Sequence, residues 1–264
     1  MAIHSTAKIH PTAIIDPTVE IDADAEVGPY CIVGGGVSIG ARTRLVAQVF
    51  LEGKLSIGRD NIFYPYCSCG VAPQDLKYKG ELSEVRIGDR NTIREFVTIH
   101  RGTEGGGMVT SIGDHNLLMA YVHVAHDVII HDHTILANGV TFAGHVIVED
   151  YANIGGLTAI HQFCRIGRHA IIGSRSVIKQ NVLPFSQTAT SHKSEVYGAN
   201  RVGLQRSGLQ AESIEPLQNA FRLLSHASLN TTQALARIEE EIPTTDEVKE
   251  LLAFIRASDR GFIK

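Results

Sequence analysis

The segment Leu118–Phe163 reads LMAYVHVAHDVIIHDHTILANGVTFAGHVIVEDYANIGGLTAIHQF and repeats with a period of six residues. Every sixth position from Ile112 onward is an aliphatic residue or a phenylalanine, and this pattern continues unbroken to Pro184. The period matches neither the roughly 3.6 residues of a helical turn nor the roughly 3.5 of a coiled coil. It predicts a parallel β-helix, in which short strands stack, apolar side chains fill the axis and small residues form the corners. The recurring positions are Ile112, Leu118, Val124, Ile130, Leu136, Phe142, Val148, Ile154, Ile160, Ile166, Ile172 and Ile178.

The same repeat begins close to the N-terminus and is interrupted twice. It runs from Ile9 to Cys69, breaks at Pro73 and resumes at Ile87. It breaks again over residues 102–110. We therefore expect two loops to leave the solenoid, near 73–84 and 102–110. Loops on a rigid scaffold often carry functional residues.

After Pro184 the periodicity changes. Residues 185–208 are polar, and we expect them to be irregular. Beyond them, apolar residues recur at helical spacing, with Thr231 or Thr232 and Thr244 or Thr245 as N-caps. The prediction is a mainly β chain: a parallel β-helix over residues 1–184, then a linker and a small α-helical domain of two or three helices over 185–264. The helical faces are Ile214, Leu217, Phe221 and Leu224; Leu235, Ile238 and Ile242; and Val248, Leu251, Leu252 and Ile255.

Composition and charge exclude several functional classes. The net charge of the 264 residues is −4, so no overall basic field points to nucleic acid. The N-terminus lacks a cationic start followed by an apolar segment, which argues against a signal peptide. No apolar run approaches the roughly 18 residues of a membrane span. We expect a cytoplasmic protein without an integral membrane segment.

The four cysteines are expected to be structural. Cys31, Cys67 and Cys164 occupy the fifth position of their hexads, where Ala, Val, Thr or Asn stands elsewhere. A free cysteine in such a place behaves as a small buried apolar residue. The pair Cys67 and Cys69 is too closely spaced for a zinc site of the usual kind.

A histidine beside an aspartate is the strongest chemical signal in the chain. In His126-Asp127 the carboxylate can fix the tautomer of the imidazole and stabilise its protonated form, which is what a general base requires. If three hexads form one triangular coil, residues 18 apart stack in a column, and His126, Gly144 and Gln162 have this spacing. His145 and His161 flank the column, so we expect these side chains to gather on one edge of the solenoid.

Five motifs follow one another on this frame: Gln74-Asp75-Leu76-Lys77-Tyr78, His100-Arg101-Gly102-Thr103, Ala125-His126-Asp127, Ala143-Gly144-His145 and His161-Gln162-Phe163-Cys164. Together they resemble the bacterial UDP-N-acetylglucosamine acyltransferases, a family of hexapeptide-repeat enzymes. The resemblance covers essentially the whole chain, including the helical tail and Arg260-Gly261. Each motif alone is weak evidence, but five in order are specific.

The resemblance implies a left-handed parallel β-helix that assembles as a homotrimer with active sites between subunits. It also implies transfer of a (3R)-3-hydroxyacyl group from acyl carrier protein to the 3-position of UDP-N-acetylglucosamine, the first step of lipid A biosynthesis in the formation of lipopolysaccharide. No metal and no cofactor takes part, apart from the phosphopantetheine that arrives on the carrier. Acyl chain length, and a 3-hydroxyl against a 3-amino acceptor, stay open.

The resemblance also assigns roles to residues of this sequence. His126 is the general base, Asp127 orients it, and the backbone N–H of Gly144 stabilises the oxyanion. Lys77 matches a substrate-contacting lysine from the loop of a neighbouring subunit. Further residues match positions that contact the substrates: Gln74, Asp75, His123, His145, His161 and Gln162.

Two further sets of positions belong to the resemblance. Asn200 and Arg206 match nucleotide-contacting residues, but Val202 and Ser207 stand where a glutamate and a second arginine are usual, so the nucleotide contacts differ there. Ser174 falls on the position that sets acyl chain length. Because acyl carrier proteins are acidic, we also expect a basic docking patch. Its candidates are Arg165, Arg168, Arg175, Lys179, Lys193, Arg201 and Arg206.

Three alternatives remain open from the sequence. One is a zinc hydrase of the γ-carbonic anhydrase kind, with His126 and His131 as ligands and a third imidazole from a trimer partner. Another is an acyl-CoA-dependent sugar acyltransferase on the same scaffold. The third is a non-catalytic scaffolding solenoid, which would have no use for a stacked His126, Gly144 and Gln162.

Overall fold

The described residues form a three-sided solenoid of short parallel strands followed by four helices. The computed structural model describes residues 2–190, 194–226 and 228–264. Strands are numbered in chain order, and each of three sheets takes every third strand of the solenoid. The predicted fold class, a left-handed parallel β-helix followed by a small α-helical part, is confirmed.

The sheets form the three faces of the prism. The first face contains β1 (Ala2–Ile3), β4 (Glu20–Ile21), β7 (Val37–Ile39), β10 (Lys54–Ile57), β13 (Glu84–Ile87), β16 (Val109–Ile112), β19 (Ile129–Ile130), β22 (Ile147–Val148) and β25 (Arg165–Ile166). The second contains β2 (Lys8–Ile9), β5 (Glu26–Val27), β8 (Arg44–Leu45), β11 (Ile62–Phe63), β14 (Thr92–Ile93), β17 (Leu117–Leu118), β20 (Ile135–Leu136), β23 (Asn153–Ile154), β26 (Ile171–Ile172), β28 (Ser186–Thr190) and β29 (Ser194–Ala199). The third contains β3 (Ile14–Ile15), β6 (Ile32–Val33), β9 (Phe50–Leu51), β12 (Ser68–Val71), β15 (Thr98–His100), β18 (His123–Val124), β21 (Thr141–Phe142), β24 (Ala159–Ile160) and β27 (Val177–Ile178).

The six-residue period follows from where each position of a hexad lies in the coil. The apolar position of each hexad points to the solenoid axis, where Leu118, Val124 and Phe142 are fully buried. The fifth position of a hexad is also buried but narrow, and it holds the smaller residues, including Cys31, Cys67 and Cys164. The four cysteines are free and buried, as predicted. Most corners turn through a residue in the left-handed backbone region, such as Asp127 with φ of 60°.

The pairing register fixes which residues stack. In the uninterrupted coils a residue pairs with the one 18 positions later, as His123 does with Thr141. The two predicted interruptions lengthen this offset. Lys54 pairs with Glu84 across the first, and Glu84 pairs with Val109 across the second. The strands on either side remain parallel, with a register shift between Cys69 and Val71 in β12, where the first insertion leaves the solenoid.

The structure of residues 186–190 and 194–199 differs from the sequence prediction. They were expected to be irregular, but β28 and β29 form an antiparallel pair, and β28 continues the second face next to β26. The alternation that signals a strand is obscured because this edge pair is rich in Ser, Thr and Gln and carries a register shift between Gln187 and Thr188.

The C-terminal part, as far as it is described, has four helices, whereas two or three were predicted. Its helices are α1 (Arg201–Arg206), α2 (Ala211–Leu224), α3 (Thr231–Glu241) and α4 (Asp246–Arg256). The expected apolar faces of α2 and α4 are buried, and Thr245 caps α4 as predicted. The cap of α3 was placed wrongly: Asn230 accepts the N–H of Gln233, whose side chain returns to the N–H of Asn230. None of the described helices is long and apolar enough to cross a bilayer.

The C-terminal tail returns to the end of the solenoid. Asn181 donates its N–H to Gly261 O at 3.2 Å and accepts the N–H of Ile263 at 2.9 Å. Ile263 is buried in the solenoid core, while Leu183 and Phe185 at the solenoid end are buried with the helices. Helices and solenoid thus share residues at their junction.

A ladder of buried asparagines supports one inner corner, and its loss is expected to destabilise the fold. Asn91 is 1% exposed; its Nδ2 donates to Gly113 O, and its Oδ1 accepts the N–H of Asn116, both at 2.8 Å. Asn91→Ala leaves these groups unpaired, and we expect a loss of about 2 kcal/mol in the free energy of unfolding. Urea unfolding at fixed protein concentration measures it. The control Asn153→Ala changes a half-buried asparagine on the second face, whose side chain has no hydrogen bond to any described residue. Equal stability of the two variants would contradict this role.

Candidate active site

Candidate site residues gather at the corner where the chain passes from the third face to the first. This third corner consists of residues 72–83, 101–108, 125–128, 143–146 and 161–164. His126, Gly144 and Gln162 stack on it, as their 18-residue spacing predicts. His145 donates its N–H to His126 O at 3.1 Å, and Phe163 donates its N–H to Gly144 O at 3.2 Å. The coil therefore sets the order of the column.

Both interruptions of the repeat emerge at this same corner. The first loop, residues 72–83, leads from β12 to β13, and the second, residues 101–108, leads from β15 to β16. The first loop reaches over the column and closes a cavity of about 640 Å³. The cavity is lined by Gln74, Asp75, Lys77, His123, Ala125, His126, Thr141, Phe142, Ala143, Gly144, His145, Ala159, Ile160, Gln162 and Phe163.

Lys77 lines the cavity together with His126 of its own chain. The first loop leaves the solenoid at the third corner, which places Lys77 there within one chain. Contact from the matching lysine of a neighbouring subunit stays a prediction of the resemblance.

His126 and Asp127 form the predicted pair. His126 Nδ1 lies 2.7 Å from Asp127 Oδ2. The carboxylate is acceptor-only when ionised, so it fixes the proton on Nδ1 and leaves Nε2 as the basic nitrogen. Asp127 is 4% exposed, whereas the side chain of His126 is 15% exposed and borders the cavity. The pair has the geometry of a general base and its orienting carboxylate.

The glycine at position 144 makes room for the imidazole. A Cβ on Gly144 would lie 2.7 Å from His126 Nε2 and 3.0 Å from Nδ1, so any side chain there would displace the ring. Within residues 2–190, 194–226 and 228–264, the N–H of Gly144 has no hydrogen-bond acceptor. One residue thus supports the base and offers a free donor beside it.

The neighbouring histidines are held neutral by burial. Burial lowers the pKa of His145, an effect that the Asp127 carboxylate partly opposes. Burial also lowers the pKa of His123, whose Nδ1 lies 2.7 Å from Thr98 Oγ1. Behind it, burial and the nearby imidazoles of His123 and His126 lower the pKa of His100 to about 4. Imidazoles in this environment act at neutral pH as uncharged hydrogen-bonding groups.

The sequence did not assign the residues that hold the two loops. Arg101 donates to Tyr78 Oη at 2.9 Å and to Gly70 O at 3.0 Å, which anchors the first loop to the solenoid. Glu81 accepts the N–H groups of Lys79 and Glu104, and so joins the first loop to the second. Arg101 belongs to the motif His100-Arg101-Gly102-Thr103, and this was the feature of the sequence that could have indicated its role.

Two expected site residues lie away from the cavity. His161 is exposed, and its Nδ1 lies 3.2 Å from an Arg260 guanidinium nitrogen instead of facing His126. Ser174 is exposed at the second corner, between β26 and β27. Within one chain, therefore, neither borders the cavity.

The proposed nucleotide-contacting residues lie on α1. Asn200 caps that helix: its Oδ1 accepts the N–H of Gly203 at 3.1 Å, and its Nδ2 donates to His169 O at 3.0 Å. Arg206 is exposed in the last turn. Neither borders the cavity around His126 within the chain.

The zinc alternative requires two histidines that the structure separates. His131 borders a different cavity, between the first face and α4, together with Glu149 and Arg165. His126 and His131 do not meet in one site of the chain. Among the described residues, His126, Asp127 and His145 do place ligand atoms within 4.8 Å of one another, but there His126 already bonds the carboxylate.

Part of the expected basic patch is paired internally. Arg165 bonds Glu149, and Arg168 forms an ion pair with Glu250 at 2.6 Å. Arg175, Lys179 and Arg201 are exposed. Lys193 lies outside the described residues.

Two family models and a known protein of similar sequence match this chain. Residues 181–263 match the family model described as UDP-N-acetylglucosamine O-acyltransferase, domain 2, and residues 110–144 match the bacterial transferase hexapeptide model. A protein from Thermodesulfovibrio yellowstonii named acyl-[acyl-carrier-protein]–UDP-N-acetylglucosamine O-acyltransferase is 48% identical, over 89% of this chain and 91% of its own.

Solved structures show the same similarity. A UDP-N-acetylglucosamine acyltransferase from Bacteroides fragilis is 38% identical, with a TM-score of 0.94, over 97% of this chain and 99% of its own. A UDP-N-acetylglucosamine O-acyltransferase from Moraxella catarrhalis is 40% identical, with a TM-score of 0.92, over the same shares of the two chains.

The buried His100 gives a pH-dependent prediction. Its pKa of about 4 in the folded chain lies below the ordinary 6.5, so folding favours the neutral form. This contribution to stability is present above pH 6.5 and is lost as the pH falls from 6.5 towards 4. The urea concentration at the midpoint of unfolding should decrease as the pH falls from 6.5 to 4. We expect this decrease to be smaller in His100→Phe than in the wild type, and to be unchanged in the exposed control His10→Phe. Equal pH dependence in the two variants would refute the assignment.

Proposed function

Because the chain belongs to the family of acyl-[acyl-carrier-protein]–UDP-N-acetylglucosamine O-acyltransferases, we propose that it transfers a (3R)-3-hydroxyacyl group from acyl carrier protein to the 3-position of UDP-N-acetylglucosamine. This reaction is the first step of lipid A biosynthesis, and the proposal places it in the cytoplasm. The observation that carries the proposal is the His126–Asp127 pair, with Nε2 facing the cavity above Gly144.

In the proposed mechanism His126 accepts one proton and later returns it. His126 Nε2 takes the proton of the acceptor group at the sugar 3-position while that group attacks the thioester carbonyl. Asp127, bonded to Nδ1, stabilises the imidazolium that forms. When the tetrahedral intermediate collapses, the carbon–sulfur bond breaks and the imidazolium returns its proton to the thiolate. The carrier's phosphopantetheine leaves as a thiol, and no other cofactor takes part in the proposal.

The oxyanion is stabilised by a backbone donor. The Gly144 N–H is unpaired among the described residues and lies beside the imidazole. A preorganised donor of this kind contributes roughly 3 kcal/mol to transition-state stabilisation, because the dipole is already oriented before charge develops.

The first loop would hold the acceptor. Gln74, Asp75 and Lys77 face the column across the cavity. Within the described part of the chain, Lys77 forms no ion pair, and it lines the cavity, so its ammonium group is available to an anionic substrate. Its position over the column supports contact with the nucleotide sugar next to the base.

The substrate positions outside the cavity support a trimer. His161, Ser174, Asn200 and Arg206 match substrate-contacting positions of the family, yet none borders the cavity in one chain. A second copy that places its own surface against the third corner would supply such groups, and cyclic closure of three copies gives three equal sites. We therefore propose a homotrimer whose sites lie between subunits.

Substrate assays separate this proposal from the acyl-CoA alternative. Purified protein is incubated with UDP-N-acetylglucosamine and either hydroxyacyl carrier proteins or the matching acyl-CoA thioesters, and the products are identified by mass. The proposal expects a singly acylated nucleotide sugar from the carrier-bound donors. Equal or faster transfer from acyl-CoA would replace it with the alternative.

Removal of the base tests the mechanism. His126→Ala should lower kcat by roughly 10²–10⁴-fold, the usual effect of losing a general base. Thermal unfolding should stay close to that of the wild type, since the imidazole lies at the cavity edge and not on the solenoid axis. The matched control His10→Ala removes an exposed imidazole from the N-terminal coils and should retain full activity. Near wild-type kcat in the His126 variant would rule out this base.

Ser174 is expected to set acyl chain length. In a groove between subunits, an acyl tail ends where a side chain first fills the channel, and each buried methylene is worth roughly 0.8 kcal/mol. Ser174→Gly should shift the preference towards longer hydroxyacyl donors and Ser174→Met towards shorter ones, by about tenfold per one or two carbons. Competition among carrier-bound donors measures the shift. Identical chain-length profiles for the three proteins would place the end of the channel elsewhere.

A further inference from the structure

The second loop encloses the carboxylate that orients the base. Asp127 Oδ1 accepts the N–H of Thr103 at 2.8 Å, and Asp127 Oδ2 accepts the Thr103 hydroxyl at 2.6 Å. Both oxygens of the buried carboxylate are thus bonded by one residue of this loop. The remaining bond of Oδ2 goes to His126 Nδ1.

These two bonds compensate for the burial of a charge. Within the described residues, no lysine or arginine lies within 4.0 Å of Asp127, whose ion-pair contacts are with His126 and His145 alone. A carboxylate buried in this way is costly unless hydrogen-bond donors surround it. Thr103 supplies two of those donors, and the backbone N–H of Asp127 itself is held by Thr110 Oγ1 at 2.8 Å.

The orientation of the carboxylate also selects between two imidazoles. His145 Nδ1 lies 3.8 Å from the same Asp127 Oδ2 that His126 Nδ1 approaches at 2.7 Å. A modest rotation of the carboxylate would exchange one partner for the other. The Thr103 hydroxyl opposes that rotation, because its bond to Oδ2 would break.

The shape of the loop is adapted to this contact. A Cβ on Gly106 would overlap the Asp127 carboxylate, and a Cβ on Gly102 would overlap the backbone of Met108 and Val109. The turn Glu104–Gly106, a short 3-10 helix, therefore packs its backbone directly against the carboxylate. An ordinary surface loop has no such requirement at two separate glycines.

We propose that Thr103 is a positioning residue, which holds the Asp127 carboxylate towards His126 and away from His145. Thr103 touches no substrate in this account and acts only through Asp127. The inference rests on the proposed general-base role of His126. It gives the second interruption of the repeat a role distinct from that of the first, whose residues face the cavity.

The test compares three variants at position 103 and one elsewhere. Thr103→Val removes the hydroxyl at nearly constant volume, and kcat should fall roughly tenfold, as for other residues that orient a catalytic side chain, with the KM for the nucleotide sugar unchanged. Thr103→Ser restores the hydroxyl and should recover most of kcat. Thr43→Val removes another buried hydroxyl, which donates to Gly58 O at 2.7 Å, and controls for stability alone.

A double variant distinguishes positioning from general damage. In an Asp127→Asn background the Thr103 hydroxyl has lost its carboxylate, so Thr103→Val should cost little further activity. A full additional tenfold loss in that background, unchanged kcat in the single variant, or failure of serine to restore activity would each overturn the proposal.

A measurement without substrate separates this inference from the proposed function. Nitrogen chemical shifts of the labelled histidines report which ring nitrogen carries the proton. Thr103→Val should reduce the share of His126 protonated at Nδ1, and Thr103→Ser should restore it. This readout stands even if no acyl transfer is found, in which case the proposed function fails alone. An unchanged His126 tautomer in Thr103→Val would overturn the positioning role by itself.

Discussion

The parallel register of the coils is the constraint on which the site depends. In the coils above the second loop, each corner residue lies directly above the one 18 positions earlier, because the strands on each side pair in regular parallel register. A substitution at the third corner of one coil therefore affects the packing of the residue above it in the next coil. His126 packs directly on Gly144, where a Cβ would lie 2.7 Å from its Nε2. The rigidity needed to hold a base against its donor comes from backbone hydrogen bonds distributed over the whole stack.

The two interruptions of the repeat have different roles at the third corner. Both leave between the third face and the first, and the first-face strands that follow them pair in regular parallel register. The first loop reaches over the cavity and presents Lys77, while the second bends inward and bonds Asp127. Arg101 and Glu81 connect the loops to the scaffold and to each other. Substrate-facing and carboxylate-facing parts are thus assembled on one edge of an otherwise regular prism.

The sequence predicted features that follow from periodicity. A six-residue repeat fixes the apolar positions, and a three-hexad coil fixes the column of His126, Gly144 and Gln162 without any knowledge of the fold's hand. Periodicity carries no information about the path of an inserted loop, so the bonds of Thr103 to Asp127 were not foreseen. It also fails for an edge pair of polar strands, which explains the error at residues 186–190 and 194–199. The contact of His161 with Arg260 was not foreseen, because proximity to Gln162 in sequence does not fix the direction of a corner side chain.

The central claim is that Asp127 holds the proton of the neutral His126 on Nδ1 and leaves Nε2 free towards the cavity. Nitrogen chemical shifts of the wild-type protein, labelled at histidine and measured at neutral pH, test this claim most directly. The account predicts that the resonance of the nitrogen bonded to Asp127 is that of a protonated ring nitrogen and that the cavity-facing nitrogen is bare. A neutral His126 that carries its proton on Nε2 would contradict it, because the base would then have no lone pair to offer the acceptor.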